Sequence, residues 1–414
     1  MPNFAPQYFE IYYYYNISNA YIIIDYTIMN VFLTGATGLV GGELLVTLSK
    51  RDEISKIYCL LRSSTIEEAE ARLQKVFCLH DDQYEANKIV PVLGNLFDDN
   101  LTESLKNNPV LRDVDVILHS AANTSFSRFN DDLVEKANIG GLTKILLWAK
   151  QLPHLKTFLY IGTATICGKD VKDRVVHEDE SPNPDATHLV KYTYTKMKGE
   201  LLIREHLPED KILIARPSII MGDSRPIMPR SPVILWAMAT INHLRLIPVN
   251  EHAQLDIIPV DYAADAIVKL LFAQRKHHVY HISAGESGST TALRLSKTLE
   301  SYFDEMPPFN FINKSMLNQV KHWTKGRLQP ESELYEYRKY LDYWKDTFED
   351  KSKLRVLFSG LDPYLDFMEL GHVFDNTRLL QDVGIDNSEP ADVYMAKSMN
   401  FVEKIDILEG AIDP

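Results

Sequence analysis

The stretch Gly35-Ala36-Thr37-Gly38-Leu39-Val40-Gly41 constrains this chain more than any other. It follows NVFLT (30–34), a short β-branched and aromatic run, and opens an apolar helical pattern, GELLVTLSK. Strand, glycine loop and helix in that order make a dinucleotide-binding turn. In such a turn Gly35 permits the sharp bend, Gly38 lets backbone approach a pyrophosphate, and Gly41 lets the helix pack close to the sheet. The first N–H groups of the helix then face phosphate. The spacing is GxxGxxG rather than GxGxxG, so the flanking strand and helix carry much of the inference.

Strand and helix patterns keep alternating beyond the loop. KIYCLL (56–61), KIVPVLGNL (88–96), DVILHSAA (115–122), KTFLYIGTA (156–164) and KILIARPSII (211–220) read as strands, with LVEKANIGGLTKILLWAK (133–150) and a segment near 190–205 as helices. That alternation predicts an α/β fold, a Rossmann-type doubly wound parallel sheet. The dinucleotide-binding domain is expected over 29–285. A smaller, mostly helical C-terminal substrate lobe is expected over 286–414, with 222–254 contributing to it. SPVILWAMATINHL (231–244) reads as an apolar helix, either lining a tunnel or filling the lobe core. Residues 331–350 read as an aromatic, charged lobe helix and 374–385 as a final helix.

The leader over 1–28 is rich in Tyr, Ile and Asn and holds no Lys or Arg. It lacks the basic region of a secretory signal and the ~20 apolar residues of a membrane span. Strand-forming residues begin directly after Met29, which reads as the natural start. The rival reading makes the leader an extra strand or an interaction arm.

The second strand ends at Leu61-Arg62, where an NAD-binding sheet places an acid for the ribose 2′-hydroxyl. An arginine there suits a 2′-phosphate, which favours NADPH over NADH. In Gly94-Asn95-Leu96, Asn95 can hydrogen-bond the adenine amine and Leu96 can pack on the ring.

KYTYTKMK (191–198) holds two overlapping Tyr-x-x-x-Lys pairs, Tyr192–Lys196 and Tyr194–Lys198. A helix turns about 100° per residue, so the two pairs face different ways. With Tyr192 at zero, Lys196 falls near ~40°, Gly199 near ~340° and Glu200 near ~80°. That polar face, with a glycine admitting the cofactor, makes Tyr192–Lys196 the working pair. Tyr194 shares its side with Met197 and Leu201 and is expected to pack inward. Thr163 ends the fifth strand, at the sheet edge where ligands bind. A hydroxyl, a tyrosine and a lysine form a proton-transfer set, since a nearby ammonium lowers a phenol's pKa.

The net charge of −13 argues against a nucleic-acid partner. The three cysteines, Cys59, Cys78 and Cys167, fit no metal or disulfide spacing, which suits a reducing, cytoplasmic setting. His277, His278 and His281 read as part of a strand end. No metal site is expected, and an oligomer stays open.

TGATGLVG, HSAA, GTATICG, YTYTK with Glu200 in phase, and RPSIIMG together resemble the extended short-chain dehydrogenase/reductases over roughly 30–285. IYCLLR, VLGNLF, ILHSAANTSF, NIGGLTKILLWAK and LDIIPVDYAADAI resemble the thioester reductase and fatty acyl-CoA reductase branch, with its male-sterility-type NAD-binding domain. The resemblance implies NADPH-dependent reduction of an acyl thioester, on coenzyme A or on a carrier protein, to an aldehyde or an alcohol. It implies that Gly35, Thr37, Gly38, Leu39 and Gly41 hold the pyrophosphate and that Arg62 takes the 2′-phosphate. Ala121, Ala122 and Asn138 line or support the groove, and Pro217, Ser218 and Ile219 sit by the nicotinamide. Where the family often writes Ser-Thr this chain has Gly162-Thr163, and the common GDL becomes Gly94-Asn95-Leu96. A nucleotide-sugar epimerase, dehydratase or reductase would use the same three catalytic residues, but Arg62 speaks against it. A non-enzymatic cofactor sensor would not need the Tyr–Lys pair.

Overall fold

The computed structural model describes residues 28–230, 233–327, 329, 331–348 and 350–408, with the backbone of 14–17 and 20–23. Those last two segments, β1 (Tyr14–Ile17) and β2 (Ala20–Ile23), pair antiparallel with each other. Apart from them and Ile28, the expected leader lies outside the described residues.

Seven parallel strands build the central sheet: β3 (Met29–Thr34), β4 (Ile54–Leu61), β5 (Ile89–Leu93), β6 (Val116–His119), β7 (Thr157–Ile161), β9 (Ile212–Pro217) and β14 (Val279–Ile282). Their order is β14-β9-β7-β6-β3-β4-β5. Strand order therefore reverses between β3 and β6, the crevice where doubly wound sheets bind ligands. Two-residue strands flank the sheet: β8 (Val175–Val176) with β17 (Val373–Phe374), β10 (Ile219–Ile220) with β13 (Ile257–Ile258), β11 (Leu246–Ile247) with β16 (Asn310–Phe311), and β12 (Gln254–Leu255) with β15 (Thr290–Thr291).

Every residue of β7 and β9 is buried. Strands buried along their whole length need helices on both faces. One face is covered by α1 (Leu39–Ser49), α2 (Ile66–Cys78) and α8 (Val260–Phe272), whose Leu44, Leu45, Leu73, Phe77, Ala263 and Ile267 share a core with Val31 and Leu33. The other is covered by α3 (Leu101–Asn107), α5 (Leu142–Ala149) and α6 (Lys191–His206), where Leu105, Ile145, Trp148 and Ile203 meet Phe32 and Phe158. Between α4 (Asp131–Glu135) and α5 the chain passes through a π-helical turn, Lys136–Gly141.

The lobe core joins α7 (Val233–Leu244), α10 (Ala292–Tyr302), α11 (Lys314–Thr324), α12 (Arg338–Phe348) and α13 (Lys351–Met368); the short α9 (Gly285–Gly288) leads into it. Trp344 of α12 donates its indole N–H to the Leu244 carbonyl at 3.0 Å, and Trp236 donates to Ile407 at 2.6 Å. Helix α7 is thus built into the lobe core.

The segment expected to be the final lobe helix behaves differently. Its helix α14 (Thr377–Val383) buries Leu379 in the core of the sheet rather than of the lobe, and further short helices follow it. Two buried carboxylates hold the segment there. Asp256 accepts from the backbone N–H of Ala284 and Phe374, at 2.8 and 2.9 Å. Glu178 accepts from those of His281 and Arg378, at 3.0 and 2.7 Å. Among the described residues no helix is long and apolar enough to cross a membrane.

Candidate active site

The glycine loop joins β3 to α1 at the reversal of strand order. Gly35 has φ +78°, and a β-carbon there would lie 2.8 Å from the Ala121 nitrogen. One at Gly41 would lie 2.0 Å from the Gly35 carbonyl oxygen, so the helix can start only where the loop lacks side chains. At Gly38 the nearest atom would be that same oxygen, at 3.4 Å. Gly38 and Thr37 are exposed, Leu39 is half-buried, and α1 carries no acid in its first turn. The loop therefore offers an open, uncapped helix N-terminus, which fits a dinucleotide's phosphates. Ala121 and Ala122 form the opposite bank and are half-buried. Ala121 N–H donates to the Thr34 hydroxyl at 3.1 Å, and that hydroxyl lies 3.0 Å from His119 Nδ1.

Arg62 leaves β4 exposed, beside the loop. Arg72 of α2 joins it, donating to the Arg62 carbonyl at 2.6 Å and to the Thr37 hydroxyl at 3.4 Å. Two guanidinium-bearing residues therefore share this corner. Arg72 was missed in the sequence because it stands on an ordinary amphipathic helix, and only the fold brings it to the loop. Asn95 Oδ1 accepts the Phe97 N–H at 3.1 Å, an Asx turn that uses one of its lone pairs. Leu96 presses on Gly141, where a β-carbon would come within 2.8 Å of the leucine's own.

Thr163 caps the turn Ala164–Cys167 at the end of β7. Its buried hydroxyl donates to the Pro217 carbonyl at 3.3 Å and lies 3.0 Å from the Thr165 hydroxyl. Helix α6 packs on this turn and brings Tyr192 and Lys196 to the same strand ends. Lys196, 3 % exposed, donates to the Ile161 carbonyl at 2.6 Å. Its ammonium lies 4.8 Å from the Tyr160 ring centre and 5.9 Å from that of Tyr192. Burial brings Lys196 down to about 7, against an opposing pull from Glu200. Burial also pushes the Tyr192 phenol above its usual range, the opposite of the lowering expected from a neighbouring lysine.

The helix phase expected for α6 needs correcting. Gly199 does not face the groove: a β-carbon there would lie 2.3 Å from the Tyr160 hydroxyl, so the glycine seats helix on strand. Tyr194 does not pack inward. It is half-exposed, with Lys191 and Lys198 at 5.0 and 5.9 Å from its ring and the His188 ring edge-on. What α6 buries is largely polar, namely Thr193, Thr195, Lys196 and Glu200, alongside Met197, Gly199 and Ile203. Each polar group has a partner that a helical wheel omits. Glu200 pairs with Arg216 of β9, and Thr195 accepts from Asn138 at 2.9 Å. Asn138, in the π-helical turn, also donates to the Asn123 carbonyl at 3.0 Å and accepts its N–H at 2.7 Å. It braces the bank against α6.

Residues 33–267 match the family model NAD_binding_4, described as Male sterility protein. This chain belongs to that family. It carries the family's NAD-binding domain at the crevice just described. Among its relatives, Fatty acyl-CoA reductase 1 of Homo sapiens is 26 % identical over 269 residues, covering 56 % of this chain and 52 % of that protein. A linear gramicidin synthase polypeptide of Brevibacillus parabrevis is 31 % identical over 247 residues, covering 58 % of this chain and 5 % of that protein. The chain thus spans about half the length of the human relative. In fold it is similar to the terminal R domain of the myxalamid PKS-NRPS biosynthetic pathway, with a TM-score of 0.67, 21 % identity and 91 % of each chain covered.

In this male sterility family member the lobe reaches the tyrosine through an aromatic wall. Phe126, beyond β6, lies 6.2 Å from the Tyr192 ring, 5.0 Å from Tyr364 and 5.1 Å from Phe367, ring centre to ring centre. Trp236 of α7 backs Tyr364 at 5.7 Å. A cavity of about 400 Å³ has a mixed lining of three lysines, Lys169, Lys172 and Lys314, and three acids, Asp170, Asp366 and Glu369, with Lys314 paired to Asp366 at 2.9 Å. Pro217 is buried at the end of β9, Ile219 is half-buried, and the buried Ser218 turns its hydroxyl toward Asp256.

Proposed function

We propose that this chain reduces an acyl thioester with NADPH. The observation that carries the reading is Lys196 bonded to the Ile161 carbonyl, two residues before Thr163, with the Tyr192 ring beside its ammonium and an aromatic wall beyond. The name of the human relative, a fatty acyl-CoA reductase, agrees with acyl-thioester chemistry. Gly35, Thr37, Gly38, Leu39 and Gly41 would hold the pyrophosphate, and Arg62 with Arg72 the 2′-phosphate, whose charge two guanidinium groups match. Asn95 and Leu96 would meet the adenine; Ala121, Ala122, Pro217, Ser218 and Ile219 would line the nicotinamide half, braced by Asn138.

When bound, the dihydronicotinamide supplies hydride to the thioester carbonyl carbon. Thr163 and Tyr192 would donate hydrogen bonds to the carbonyl oxygen as negative charge grows there. Tyr192 then gives that oxygen its proton, leaving a hemithioacetal and a phenolate. Lys196 would hold the ribose and stabilise the phenolate by its charge. Collapse of the hemithioacetal breaks the C–S bond and releases aldehyde and thiolate, its hydroxyl proton returning to Tyr192; solvent then protonates the thiolate. A second hydride would give the alcohol. The aromatic wall would exclude water and receive the acyl chain of a thioester on coenzyme A or on a carrier protein.

The test is consumption of NADPH, followed by absorbance, with acyl-CoA substrates of graded length and with NADH as the comparison. Thiol release matched to NADPH loss is expected. NADPH loss without thiol release, or no loss with any thioester, would reject the proposal.

A further inference from the structure

The polar column beneath Lys196 is more than the fold requires. Glu200 stands one turn below the lysine on α6, and both its carboxylate oxygens are held by Arg216 of β9, at 2.9 and 2.8 Å. The two residues are 0 and 2 % exposed. The remaining Arg216 contact runs to the Glu180 carbonyl at 3.0 Å. On the other side of the lysine, Tyr160 lies flat against His119, 9° between planes and 6.1 Å between ring centres. Gly199 admits the Tyr160 hydroxyl to the helix backbone, which brings the ring under the ammonium.

A fully buried ion pair is a poor device for stability alone. Apolar side chains of similar volume hold helix to strand as well or better, because two charges need not be stripped of water. What an apolar pair lacks is a field. Lys196 is itself out of water, and burial works against its charge. A carboxylate one helical turn away works in the opposite direction. Arg216 grips both oxygens of that carboxylate, at 2.9 and 2.8 Å.

We propose that the Glu200–Arg216 pair is a positioning device for Lys196, locking α6 on β9 one turn below the lysine and keeping its ammonium charged against the Tyr160 ring. Among the described residues, the groups that face Lys196 come from three elements. From α6 come Tyr192 and Glu200, from β7 the Tyr160 ring and the Ile161 carbonyl, and from β6 His119. Arg216 lies beyond Glu200 on β9. Burial keeps His119 neutral, at about 3, so it adds no competing positive charge. Lys196, Glu200 and Arg216 together carry one net positive charge, the sign that a phenolate on Tyr192 calls for. The inference rests on reading Lys196 as the working lysine.

The decisive measurement needs neither substrate nor cofactor. Side-chain 13C signals of lysine-labelled protein are titrated by NMR, with Lys196→Arg identifying the resonance. In the native chain the Lys196 midpoint is expected at about 7. Glu200→Gln strands the Arg216 charge and risks the fold, so Glu200→Gln/Arg216→Met carries the test, with circular dichroism and thermal melting confirming that it is folded. In it the midpoint should fall by about 1 pH unit. The upper-pH decline of thioester-dependent kcat/KM should move down equally. A folded double variant whose midpoint stays in place overturns the proposal, even if its activity is low. A shifted midpoint in a protein that reduces no thioester supports the electrostatic role and rejects the assigned reaction instead.

Discussion

Asn138 Nδ2 lies 2.9 Å from Thr195 Oγ1, so the π-helical turn is hydrogen-bonded to the helix that carries Tyr192. The same side chain satisfies the Asn123 N–H and carbonyl. Asn138→Ala should leave those three groups without their partner. Each such group, where buried, costs up to about 1–3 kcal/mol, and the half-buried Asn123 groups less. We expect a clear fall in melting temperature together with a fall in kcat, because the bank and α6 lose their brace. Thermal denaturation and single-turnover kinetics check both. A variant as stable and as fast as the native chain would reject the brace.

Tyr192 and Tyr194 should separate cleanly. Tyr192→Phe removes the proposed proton donor and should lower kcat by about 10²–10⁴-fold. Tyr194→Phe keeps its ring between Lys191 and Lys198, on a half-exposed face. Substitutions of that kind stay within about 0.5 kcal/mol, so turnover and melting temperature should hardly change. Equal losses in the two variants would remove Tyr192 from the mechanism.

Local patterns were legible in the sequence and distant partners were not. The run NVFLT, the spacing of Gly35, Gly38 and Gly41, and the recurring buried strands follow from steric rules acting over a few residues. The crossover order of the sheet follows from their alternation. The phase of α6 failed because a helical wheel places polar residues toward water, whereas Glu200 and Thr195 are buried by Arg216 and Asn138, supplied by other elements. Arg72, Tyr364 and Phe367 were missed for the same reason. Their neighbours Thr37 and Phe126 become neighbours only after folding. The segment around Leu379 was assigned to the lobe by position, yet its apolar side chain meets the sheet core, and Asp256 and Glu178 secure the backbone on either side.

Arg62 and Arg72 should set cofactor choice jointly. A charge-assisted bond to a phosphate contributes about 1.5–3 kcal/mol, so either Arg→Ala change should weaken NADPH binding roughly 10–100-fold while leaving NADH nearly unaffected. Dissociation constants from fluorescence titration of both cofactors decide this. Equal weakening of NADH and NADPH would mean that the arginines hold the loop rather than the 2′-phosphate.

Glu178 should leave a signature in the pH dependence of stability. Burial outweighs the two N–H donors from Arg378 and His281 and pushes its carboxyl up to about 7. In the unfolded chain a glutamate titrates near about 4.3. Between those values the folded protein binds the proton more tightly, so Glu178's contribution is fully present below the lower value and is lost as pH rises through the higher one. Glu178→Gln cannot titrate. It also sets an NH₂ against one backbone N–H, a loss of about 1–3 kcal/mol that does not vary with pH. The stability of the native chain relative to the variant should therefore fall steadily from about pH 4.3 to 7, by enough to reverse its sign, and stay flat on either side. Urea unfolding across that range measures the gap. A gap independent of pH would mean that Glu178 stays ionised and that the donors from Arg378 and His281 prevail over burial.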